Sequence, residues 1–133
     1  MDRRVMAGFI LALITLPSVA VSVTAESDAL VVPDDYETFQ AAIDAAEEGS
    51  TVYVKAGSYH ENLEINRSIS LVGESCFSVF VDGNTSEPYG VVPCRISCSG
   101  VNVSGFTFSD GRDGVQLMSG VCNCSISGNR LIN

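Results

Sequence analysis

The sequence predicts an all-β chain of short stacked strands, a β-solenoid, with one amphipathic helix ahead of it. Three observations carry this. The first is a pattern present four times: Val52-Tyr-Val54-Lys-Ala-Gly57, Ile69-Ser-Leu71-Val-Gly73, Val101-Asn-Val103-Ser-Gly105 and Cys124-Ser-Ile126-Ser-Gly128. Apolar residues two apart mark a strand with one dry and one wet face, and the glycine after them supplies a bend. The second is recurrence: the copies start 17, 32 and 23 residues apart, which suits stacked repeats better than a hairpin. The third is a single helical stripe, Phe39, Ala42, Ile43 and Ala46, that precedes them.

Residues 1–25 have the grammar of a secretory signal peptide. Arg3 and Arg4 precede the apolar run Val5 to Leu16, and Val23-Thr-Ala25 is a small-x-small cleavage site. The alternative is an uncleaved membrane anchor. The whole chain carries net charge −9. Removing Asp2, Arg3 and Arg4 takes away a net +1, so the mature chain is at −10. Such a balance disfavours nucleic acid and anionic membranes as partners and fits an exported protein, extracellular, on the cell surface or in the periplasm.

Residues 26–49 read as a leader strand and a helix. Ala29 to Val32 is the strand, Pro33-Asp34-Asp35 the turn, and Asp34 or Asp35 the expected cap of a helix over about residues 36–47. Glu37, Gln40, Asp44, Glu47 and Glu48 fall on its polar face, and Gly49 stops it. A solenoid's first coil has an open apolar end and unpaired backbone edges, so the expected task of this helix is to cap that end.

Residues 50–133 supply about three to four coils. Ser50–Val54, Leu63–Ile65, Ile69–Leu71, Val79–Val81, Phe106–Phe108 and Val115–Leu117 read as strands. Residues 57–62 read as a turn that carries His60 outward as a solvated side chain, and residues 85–89 as a protruding loop. Overlaying the copies places Val52, Ile69, Val101 and Cys124 in one inward column and Val54, Leu71, Val103 and Ile126 in another. Cys124 then occupies a valine slot as a small hydrophobe. The coils look truncated at the C-terminus, because Asn133 follows Leu131-Ile132 with no second helix. The expectation is an end covered by further coils or by another chain.

Five cysteines, Cys76, Cys94, Cys98, Cys122 and Cys124, are compatible with export but leave one unpaired. The overlay brings Cys98 and Cys122 near each other in successive coils and makes them the disulfide candidates; otherwise the cysteines are packing residues. Asn66, Asn84, Asn102 and Asn123 each begin an N-x-Ser/Thr sequon. Asp110 and Asp113, with Arg112 between them, are the nearest approach to an acid–base or calcium cluster, but Asp-Gly-Arg-Asp-Gly is turn composition and a calcium site needs about six or more oxygen ligands. Asp110, Asp113, Cys98 and Cys122 are thus only weak metal candidates. No catalytic constellation is visible, so the chain leans away from an enzyme, and no cofactor is expected.

Phe39 to Ala46, Gly49 to Asn62 and Leu63 to Gly73, in this order and spacing, resemble the opening of right-handed parallel β-helix proteins. The nearest likeness is to the NosD-like group and to β-helix repeats of archaeal surface proteins; pectin methylesterases and pectate lyases share the opening more distantly. The resemblance covers about residues 30–133 and implies the fold far more than a function. It suggests a non-catalytic exported module for carbohydrate or protein contact, or a scaffold. The alternatives are the opening segment of a carbohydrate-active β-helix enzyme, or a NosD-like copper-handling protein. The enzyme relatives imply two aspartates, glutamines and an arginine, and no run here resembles those segments.

Overall fold

The computed structural model describes residues 29–83, 92–110 and 113–132. The signal-peptide segment, the Asn84 sequon, the loop at 85–89 and Arg112 lie outside the described residues. Among the described residues no helix is long and apolar enough to cross a membrane.

The chain is built from short parallel strands. In order they are β1 (Leu30–Val32), the helix α1 (Phe39–Ala45), β2 (Thr51–Val54), β3 (Gly57–His60), β4 (Leu63–Ile65), β5 (Ser70–Gly73), β6 (Val79–Asp82), β7 (Cys94–Ile96), β8 (Asn102–Ser104), β9 (Thr107–Ser109), β10 (Val115–Leu117), β11 (Ser125–Ser127) and β12 (Arg130–Leu131). They form three sheets, ordered β1-β2-β5-β8-β11, β3-β6-β9-β12 and β4-β7-β10. Every pairing is parallel. From β2 onward successive strands go to different sheets and the chain returns to each sheet one layer further on, so the architecture is an all-β parallel solenoid.

Alternate residues point inward and close the core. In the first sheet Leu30, Val52, Leu71, Val103 and Ile126 share one register line. The overlay of the three later copies therefore holds, with Leu71, Val103 and Ile126 in one column. The first copy is displaced by two residues: Val52 faces Leu71, and Val54 faces Gly73. Its glycine misled the alignment, because Gly57 belongs to the next strand, where it faces Val79.

The glycines of the second and third copies have a steric reason, whereas Gly128 of the fourth has φ +65 and nothing within 4 Å. Gly105 has φ +85, and a methyl group built on Gly73 would meet the Gly105 carbonyl oxygen at 2.2 Å. The turns of successive coils are stacked so closely there that no side chain fits between them. Inside the coils, Phe39 and Phe106 approach at 5.5 Å between ring centroids, and Phe106 and Phe108 at 5.8 Å. Tyr59 closes the edge with a T-shaped contact to Phe39 at 5.0 Å.

The helix is shorter than its pattern suggests. Its N-cap is Thr38, whose hydroxyl accepts from Ala41 N at 3.1 Å, while Asp35 accepts from Val31 N in the preceding turn. Phe39, Ala42, Ile43 and Ala46 are all buried. Polar groups then fasten the helix to the coil. Glu61 receives Phe39 N and Gln40 N at 3.0 and 3.2 Å. The Gln40 amide accepts from Glu64 N at 2.9 Å and donates to Glu64 O at 3.1 Å, so one side chain pairs with the edge of β4 as a neighbouring strand would. Arg67 donates to Ala46 O at 2.7 Å.

Candidate functional site

All three sheets send polar side chains outward; on the sheet of β4, β7 and β10, Glu64, Arg95 and Gln116 share one register line, and Arg95 Nε donates to Gln116 Oε1 at 3.2 Å. The first of the other two faces belongs to the five-stranded sheet. Alternation along each strand sends out one column of Thr51, Ser70, Asn102 and Ser125 and a second of Tyr53, Val72, Ser104 and Ser127. Neighbouring parallel strands lie about 4.8 Å apart, so the columns form a regular grid along the solenoid axis. Hydroxyls dominate it, and none of the eight side chains is charged. The Asn102 amide donates to Ser70 Oγ at 3.2 Å, which fixes two members of the grid relative to each other. Asn102, Ser125 and Ser127 are exposed and the other five are half-buried.

Charge is confined to the borders of this face. On the entry side Glu48 accepts from Ser68 N at 3.1 Å. On the exit side Glu74 accepts from Ala56 N at 3.3 Å, and Lys55 is paired with Asp34. The hydrogen bond to Asp34, then its charge, raises the Lys55 pKa above its ordinary value.

The second face belongs to β3, β6, β9 and β12. His60 is the last residue of β3 rather than part of a turn, and its Nδ1 lies 2.5 Å from Asp82 Oδ1, the residue it pairs with in register. His60 is exposed, as expected from the sequence. Its strand went unread because Gly57 and Tyr59 are the inward positions, and glycine gives no apolar signal. Nearby, Phe77 is 74% exposed and the Arg130 guanidinium lies 5.3 Å from its ring centroid. Thr107 Oγ1 donates to Cys76 O at 2.5 Å beneath the turn that carries Phe77.

The cysteines do not assemble. All five are free thiols. Cys98 packs toward the core, whereas Cys122 is exposed with its sulfur 3.5 Å from Ser99 Oγ. The two sulfurs are not bonded to each other in this structure. Cys124 is half-buried against the core, its Sγ 3.6 Å from Cys98 O. Burial pushes the Cys94 thiol up to about 12. Among the described residues no three His, Cys, Asp or Glu side chains gather where they could hold a metal ion, and this includes Asp110, Asp113, Cys98 and Cys122. Asp110 is an exposed residue in the left-handed region, φ 54, which accords with a turn. The sequon residues Asn66, Asn102 and Asn123 are exposed.

Sequence reasoning missed Gln40 and Glu61, which it placed on the helix's polar face and in a turn. A signal existed only for Glu61, as an acid beside Asn62 in the Tyr-His-Glu-Asn run that the resemblance covers.

No family profile and no solved structure matches the chain. A curated protein of Arabidopsis thaliana, described as a probable pectinesterase/pectinesterase inhibitor 6, is 33% identical over 95 residues, covering 62% of this chain. The aligned part is 17% of that protein, so the chain matches less than a fifth of the relative's length. The likeness is distant and accords with the pectin methylesterase opening seen in the sequence.

Proposed function

We propose that the chain is an exported carbohydrate-contacting module, a right-handed parallel β-helix of about three to four coils capped by its N-terminal helix. The observation that carries this is the register grid on the first sheet. Hydroxyl and amide groups repeat at strand spacing over four successive strands, as a polymer of repeating hydroxylated units requires. The distant pectinesterase likeness supports a carbohydrate-active setting and export. The hand follows from the rule that parallel crossovers are right-handed in about 98% of cases. The Gln40 and Glu61 attachments support the capping role.

Affinity electrophoresis of the purified chain in gels containing pectin, polygalacturonate, galactan or glucan tests the reading. Retardation in at least one gel is expected; unchanged mobility in all of them overturns it. The second reading, an opening segment of a pectinesterase-like enzyme, is favoured by the relative's description. Methanol release from esterified pectin is its assay, and His60→Gln, which removes the ring paired with Asp82, is expected to lower it.

A further inference from the structure

We infer that the polymer this module takes is uncharged and lies lengthwise along the solenoid axis across the first sheet. The inference rests on the carbohydrate-contact reading and names its substrate class. Two independent features point the same way. The grid offers neutral groups only: Thr51, Ser70, Asn102 and Ser125 in one column, and Val31, Tyr53, Val72, Ser104 and Ser127 in the other. A polyuronate would bring one carboxylate per sugar onto strand side chains none of which is a cation, and stripping water from an unpaired charge is costly.

The borders reinforce this. Glu48 on one side and Glu74 on the other are carboxylates, and Lys55 is already paired with Asp34. The whole chain carries −9. The field over the grid is therefore negative, and at low salt it repels a polyanion before contact. A neutral chain feels none of this. It gains hydrogen bonds to the hydroxyls, and its sugar faces can pack on Tyr53 and Val72.

The axial direction follows from the register. Equivalent groups recur once per strand along the axis, whereas across a strand only two outward positions exist on this face. An extended polymer running along the columns meets like groups repeatedly; one running across meets two and leaves the sheet.

The test is a binding series with the full chain, using a soluble neutral β-glucan, a neutral galactan and polygalacturonate, each at low and high salt. The expected result is binding to a neutral polymer at least about tenfold tighter than to polygalacturonate at low salt, with little salt dependence for the neutral polymer. Ser70→Glu and Ser104→Glu should each weaken neutral binding by about tenfold or more with an unchanged circular dichroism spectrum. The double change Asn102→Lys with Ser125→Lys should bring polygalacturonate binding at low salt. Preference of the unaltered chain for polygalacturonate overturns the inference and leaves the carbohydrate reading standing. Neutral binding that survives both glutamate changes places the site elsewhere and overturns it too. Binding to no polymer overturns the reading beneath it.

Discussion

Gly73→Ala measures how closely the coils are stacked. A methyl carbon at Gly73 would sit 2.2 Å from Gly105 O, 2.9 Å from Gly105 C and 3.0 Å from Phe106 Cε1. Real contacts of this kind stay beyond 3.0 Å, so the turns must part by 3.0 − 2.2 = 0.8 Å. The two nearest obstructing atoms are backbone, and no rotamer relieves them. Gly73 pairs with Val54 on its other side, so a shift is felt in two ladders. Overpacking in tight interiors costs about 1–3 kcal/mol, and we expect the upper end, about 3 kcal/mol. Since urea slopes are about 1–3 kcal/mol/M, the midpoint should fall by at least about 1 M. Urea unfolding followed by far-ultraviolet circular dichroism is the assay. Gly120→Ala is the control: it has φ +88 but nothing within 4 Å, so it bears only the left-handed backbone cost of about 1–2 kcal/mol. A Gly73→Ala midpoint equal to that of the unaltered chain would refute the close stacking.

Other changes test other joints. Gln40→Ala removes both bonds to the Glu64 backbone; it should cost about 1 kcal/mol and, by baring the β4 edge, raise self-association in sedimentation velocity. Val103→Asp puts an unpaired charge at a fully buried position in the central column and should abolish the native dichroism at neutral pH. Cys94 should resist alkylation at pH 8 unless the chain is denatured. Its thiol goes from 9.0 to about 12 on folding, so unfolding releases a proton between those values. The stability this group protects is complete below pH 9 and falls by about 1.4 kcal/mol per pH unit up to about pH 12. The stability difference between the unaltered chain and Cys94→Val, followed by urea unfolding across that range, isolates it.

The stacking was legible because it is written locally. Two apolar residues and a glycine suffice to state a strand and a bend, and Ile69, Val101 and Cys124 announced the same register in three coils. The first coil was misaligned because Val54 occupies the slot that glycine takes later, facing Gly73. The β3 strand was hidden by Gly57. The outward grid was half legible: the polar residues between the apolar ones were visible, but which of them share a column depends on the two-residue shift between Val52 and Leu71. Gln40 was beyond reach, since a glutamine imitating a strand is indistinguishable in sequence from one facing water.

Asn129 shows how one coil is tied to the one before it. Its side-chain oxygen accepts from Phe106 N at 3.0 Å and its amide donates to Val103 O at 2.9 Å. Like the strand ladders, these bonds reach back one layer and no further. Coupling in such a chain decays with each layer, so amide exchange should not report one global opening. Protection should be highest around β5 and β8, which have neighbours on both sides, and lowest at β12, where Leu131 is 57% exposed. The solenoid would then open as a zip does, one layer at a time, while the helix-held layers remain closed.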